Sequence, residues 1–195
     1  MQATDDLDAQ VSHGYVDHDG VKIHYASLGA GPLVVLIHGF PDYWETWRAQ
    51  MPALAAAGYR AVALDLRGYN LSDKPAGDAA YAMPLLIGDI VAVIRACGEE
   101  RATIIGHDWG GIIAWQLAMH VPAAVTRLVV LSTPHPALLA REPGDKCRDA
   151  AALSVCAGLS GARCLSEAAM GNCFDGAVAE RPGGTGTTYR STRPL

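Results

Sequence analysis

The stretch Ala102-Thr103-Ile104-Ile105-Gly106-His107-Asp108-Trp109-Gly110-Gly111 decides how this chain is read. Residues 102–106, interrupted only by Thr103, form a short apolar run, the pattern of a buried strand. From Gly110 to His120 the apolar residues recur at helical spacing. Only a few residues remain for the reversal between them, so a sharp strand-to-helix turn is predicted with Asp108 at its apex. The centre reads Gly-x-Asp-x-Gly, the spacing of a nucleophile elbow, with aspartate where serine is more common. A turn this tight brings neighbouring backbone close, which calls for small residues at Gly106 and Gly110. His107 and Asp108 occupy the turn itself. The Trp109 amide opens the helix and would point its N–H toward developing negative charge. An aspartate at a helix start is often only a cap. A buried strand before it and a helix after it favour the elbow.

The pattern repeats outward from the elbow. Residues 33–37 are a continuous apolar run, followed at once by His38-Gly39-Phe40-Pro41. Gly39 lets the backbone turn and Pro41 fixes the exit, so the Phe40 amide is predicted to face the same site. The amides of Phe40 and Trp109 would then form an oxyanion hole. His38 is read as part of the structural turn rather than as a base. Residues 14–18 and 21–27 alternate around Asp19-Gly20, a hairpin signal. A helix is expected over 45–57, a strand over 59–64, a helix over 85–96 and a strand over 127–131. Strands alternating with helices imply an α/β fold, a mainly parallel sheet with helices on its faces. Ligands in such sheets bind outside the carboxyl ends of the strands. Asp65 through Pro75 and Thr133-Pro134-His135-Pro136 also fall at those ends. Asp65 and Arg67 are read as a structural ion pair or as loop hydrogen bonds, and His135 as a loop residue beside the site.

The composition changes near residue 142. All four tryptophans and all seven histidines precede that point, whereas the remainder has no isoleucine, two valines and four of the five cysteines. So little β-branched apolar material cannot supply buried parallel strands. The expected division is an N-terminal tail over 1–13, the N-terminal part of an α/β domain over 14–142 and an atypical, poorly ordered tail over 143–195. Within that tail only 150–170 has a weak helical pattern. With no strand to follow it, strand 127–131 is expected to be an open edge prone to aggregation.

Bulk properties narrow the partners. A formal charge of −5 on 195 residues argues against nucleic acid and anionic membranes. No apolar run approaches the length of a membrane span. The acidic start, Met1 to Asp8, lacks an apolar signal-peptide core, so a cytoplasmic location is expected. The cysteine spacing gives no metal site and no disulfide framework. Oligomeric state is left open.

Taken together, His38-Gly39-Phe40-Pro41, Tyr43-Trp44-Glu45-Thr46-Trp47-Arg48, residues 65–75, Gly106 through Gly111 and Pro134-His135-Pro136 resemble the epoxide hydrolases of the α/β-hydrolase fold. The resemblance runs from about residue 14 to about 142. It implies an incomplete α/β-hydrolase fold lacking the cap and the last strands. It also implies that Asp108 attacks an epoxide carbon to form a covalent ester, and that cap tyrosines protonate the opening oxygen. A histidine held by a carboxylate then activates water, giving a vicinal diol. A small hydrophobic epoxide is the implied partner, with no cofactor and no metal. No histidine follows His135, and the only tyrosine in the tail is Tyr189, so impaired turnover is expected. The lost patterning after Arg141 is read as truncation or a frame shift in a longer gene. Haloalkane or haloacid dehalogenases share the aspartate elbow, but Phe40 together with Trp109 favours epoxides. A non-catalytic hydrolase fragment is the alternative outside enzymes.

Overall fold

A computed structural model describes residues 10–136 and the backbone of Ser154–Cys156. Seven strands form one sheet in the order β1-β2-β4-β3-β5-β6-β7. The hairpin of β1 (Ser12–His18) and β2 (Val21–Leu28) pairs Val16 with Ile23 and His18 with Val21. It turns at Asp19 and Gly20, both at positive φ (53° and 78°), as a two-residue hairpin with the native twist requires. β2 runs antiparallel to β4 (Arg60–Leu64). β4, β3 (Leu33–Ile37), β5 (Ala102–His107) and β6 (Val125–Leu131) are parallel. β1 begins two residues before the expected boundary.

The core follows the period-2 alternation of the strands. Val35, Ile37, Val62, Leu64 and Ile104 face helices α2 (Met83–Ala96) and α3 (Trp109–His120), where they meet Ile90, Ile94, Ile113 and Leu117. Val34, Leu36, Ala61 and Ala63 face the other way, onto Trp44, Trp47 and Met51. Both faces of β3 are therefore covered and all five of its residues are buried. Each fully buried Val, Leu or Ile contributes about 1.5–3 kcal/mol, so the central strands anchor the domain.

Three expectations are corrected. The single helix over 45–57 is two elements, a 3₁₀ turn at Trp44–Trp47 and helix α1 (Gln50–Ala56). Pro52 explains the break, since it has no N–H for a bond to the Arg48 carbonyl and its ring would crowd that carbonyl. It is accommodated in the first turn of α1. The weak helix over 150–170 is contradicted at Ser154–Cys156, which is strand β7. The open edge is contradicted too, because β7 pairs antiparallel with Leu128, Val129 and Val130 of β6. The unpaired backbone groups of an edge strand are a template for a short antiparallel partner, and such a strand needs no buried β-branched run. The rest of the expected 143–195 tail lies outside the described residues. Among the described residues no helix is long and apolar enough to cross a membrane.

Candidate active site

The parallel strands end at Ile37, Leu64, His107 and Leu131. The segments that follow converge on one rim, as expected for this sheet type. Asp108 connects β5 directly to α3 with φ 53° and ψ −120°, a region that β-carbon-bearing residues adopt only under constraint. The constraint is visible. The Asp108 amide donates to the Leu131 carbonyl at 3.2 Å. Its own carbonyl accepts from the Gly111 and Ile112 amides, and from Thr133 Oγ1 at 2.8 Å. A β-carbon on Gly110 would collide with the Ile37 and His38 carbonyls, and one on Gly106 with the Gly110 carbonyl. The expectation of small residues at these two positions is met by backbone contact.

The turn after β3 meets the elbow. The Phe40 amide donates to Asp108 Oδ1 at 3.1 Å. A β-carbon on Gly39 would lie 2.6 Å from Asp108 Cβ, so only glycine allows that approach. The Phe40–Pro41 peptide is cis. The Phe40 amide holds the Asp108 carboxyl below the usual carboxylate range. Partial burial opposes it, and the Trp109 amide and nearby His107 reinforce it. Asp108, Phe40 and Trp109 are thus brought together. Phe40 and Trp109 keep 66% and 51% of their surface exposed, leaving apolar side chains open at the rim.

His38 is buried and both ring nitrogens are occupied, Nδ1 by the Gly39 carbonyl at 2.8 Å and Nε2 by the Leu66 amide at 3.0 Å. Burial pushes its pKa down. That geometry fits a turn residue rather than a base. His107 ends β5 half-buried beside the elbow. His135 packs edge-on against Trp115, with ring centroids 4.6 Å apart.

Asp65 and Arg67 do not pair with each other. Asp65 accepts from His24 Nδ1 (2.7 Å), the Trp44 amide (2.9 Å) and Asn70 Nδ2 (2.9 Å). Burial opposes its ionisation, yet these donors hold its carboxyl low. Arg67 instead makes a two-pronged pair with Asp89 on α2, both bonds at 2.6 Å, and His18 Nδ1 joins the same carboxylate at 2.8 Å. Sequence reasoning missed Asp89, His24 and the role of Thr133. A lone carboxylate on the apolar face of α2, beside Ile87 and Ile90, was the available signal for Asp89. The β2 hairpin pattern offered none for His24, and a threonine ending a strand none for Thr133.

A family model for the alpha/beta hydrolase fold matches residues 32–147. An AB hydrolase superfamily protein of Bacillus subtilis is 46% identical over 124 residues, covering 63% of this chain and 43% of that protein. Epoxide hydrolase 3 of Siraitia grosvenorii is 44% identical, with 63% and 39% covered. The solved structure of an epoxide hydrolase from an endophytic Streptomyces is 51% identical, with a TM-score of 0.63 over 64% of this chain and 38% of that one. The chain thus spans about two fifths of the length of these relatives. The sheet order and the strand-turn-helix geometry around Asp108 agree with a family match over more than half of the sequence, and on that ground this chain belongs to the alpha/beta hydrolase fold family.

Proposed function

We propose that Asp108 is the nucleophile of an epoxide-opening hydrolase. The observation that carries this reading is an aspartate at the apex of the elbow with its Oδ1 already on an amide donor and its carboxyl held low. An ionised carboxylate needs no base to attack an sp³ carbon. Its free oxygen attacks a ring carbon and the carbon–oxygen bond of the ring breaks. The electron pair passes to the epoxide oxygen, which takes up a proton. The product is a hydroxyalkyl ester of Asp108. Water then adds to the ester carbonyl, and the charge that develops there lies where the Phe40 and Trp109 amides point. Collapse releases a vicinal diol. The chemistry asks for no cofactor and no metal. The exposed apolar surfaces of Phe40 and Trp109 suit a small hydrophobic epoxide, and the similar epoxide hydrolases support the same substrate class.

The second step needs a base. His24 and His38 have both ring nitrogens engaged, and His18 is bound to Asp89. His13 bonds His24, His120 bonds the Gln116 carbonyl, and His135 packs against Trp115. This chain is therefore expected to accumulate the ester. Incubation with styrene oxide, followed by intact mass and diol assay, tests both claims. A single adduct in the wild type, lost in Asp108→Ala, is the expected result. Sustained diol formation that depends on Asp108 would overturn the stall. A folded sample that takes no adduct would overturn the nucleophile.

A further inference from the structure

The amide that meets Asp108 belongs to the peptide group joining Gly39 to Phe40. Its N–H end donates to Asp108 Oδ1 at 3.1 Å. Its carbonyl end accepts from His38 Nδ1 at 2.8 Å and from the Asp42 amide at 3.1 Å. A carbonyl only accepts, so His38 Nδ1 carries the proton. Nε2 is then a bare lone pair, and it accepts the Leu66 N–H at 3.0 Å. The peptide group is planar and stiff, so holding its carbonyl end fixes the direction of its N–H. All the donors point one way, from Leu66 through the imidazole and the peptide to the carboxylate. Hydrogen bonds aligned in this manner polarise one another.

The ring is held by packing as well. His38 is fully buried, and Tyr69 lies edge-on to it with centroids 5.0 Å apart. Burial favours the neutral imidazole and outweighs the Gly39 bond and the charges of Asp65 and Asp42. A protonated ring would leave the buried Leu66 amide without an acceptor, which disfavours protonation further.

We propose that His38 is a positioning residue of this site: as the neutral Nδ1–H tautomer it links the Leu66 amide to the Gly39–Phe40 peptide and aims the Phe40 N–H at the Asp108 carboxylate. It touches no reacting atom. The kinetic consequence rests on Asp108 being the nucleophile; the electrostatic consequence does not.

The test follows the Asp108 carboxyl by ¹³C NMR titration in the full chain, for the wild type, His38→Asn and His38→Gln, with unfolding midpoints recorded alongside. The asparagine amide nitrogen can stand where Nδ1 stands and keep the Gly39 bond. Glutamine reaches toward Leu66 but has no donor at that place. Asp108 is expected to titrate at higher pH in His38→Gln and close to wild type in His38→Asn. The initial rate of ester formation with styrene oxide is expected to fall about tenfold in His38→Gln and about twofold in His38→Asn, less than the loss from deleting an oxyanion donor outright. Identical Asp108 titrations in all three folded proteins would overturn the proposal. So would equal displacements in both variants that merely track lost stability. If the wild type forms no ester, the nucleophile reading fails while the titration still decides the part played by His38. Should the variants not fold, ¹⁵N shifts of the wild-type imidazole at neutral pH decide it alone: protonated Nδ1 with bare Nε2 is required, and any other form overturns it.

Discussion

Asp108 sits at φ 53° with two amides trained on its carboxylate, and its behaviour with pH follows from that. Its carboxyl is depressed by the Phe40 amide first of all, so the carboxylate persists below the ordinary aspartate pKa. Capture of an epoxide is expected to stay flat as the pH is lowered to about 4, near the free aspartate value, and to fall only beneath it. Rates of adduct formation across a pH series check this. A midpoint above that value would show the amides are not engaged in solution. Asp65 is a second depressed carboxyl, with His24 and the Trp44 amide as its donors. A carboxyl lowered on folding adds stability above its unfolded pKa, and that stability is lost as the pH falls through the folded one. Asp65→Ala would strand several buried donors at about 1–3 kcal/mol each. A loss of about 3 kcal/mol or more in urea unfolding at pH 7 is expected, shrinking in acid. The sharp turns at Asp108 and after β3 were legible as residues because glycine spacing reports backbone crowding directly. The partners of Asp65 and Arg67 were not, because they come from β2 and α2, which are 41 and 22 positions away.

At the scale of elements, the turn between β5 and α3 depends on clearance. Gly110→Ala would push a methyl group into the carbonyls of Ile37 and His38, where backbone has no rotamer to retreat into. It should separate the turn after β3 from the elbow, abolishing adduct formation and lowering the thermal midpoint. Unchanged capture by Gly110→Ala would show that the two turns are less tightly apposed. The helix boundaries teach a related lesson. The 3.6-residue pattern over 45–57 was real, but Pro52 marks where the α-helix can begin. β7 shows the limit of composition: a three-residue segment inside a stretch poor in β-branched residues pairs with β6, because an edge strand's backbone groups can take a short partner wherever they are left open.

For the whole molecule, the Arg67–Asp89–His18 cluster joins the loop after β4, helix α2 and the β1–β2 hairpin. Asp89 and Arg67 are both buried. Removing one member of a buried pair leaves the other uncompensated, at about 3–5 kcal/mol. Asp89→Ala is therefore expected to lower stability by that order in denaturant unfolding. A loss under about 1 kcal/mol, the range of exposed pairs, would mean that solvent reaches the cluster. What the sequence determined by itself was the α/β class, the parallel core and the place of Asp108 on it, since these follow from hydrophobic period and from glycine at fixed spacing, both local properties of the chain. The tertiary structure alone decided which amide aims at which oxygen, that His38 braces the peptide between Gly39 and Phe40, and that Asp65 and Arg67 have separate partners. Those depend on segments far apart in sequence being brought to 2.6–3.1 Å of one another, distances that packing sets and no local pattern encodes.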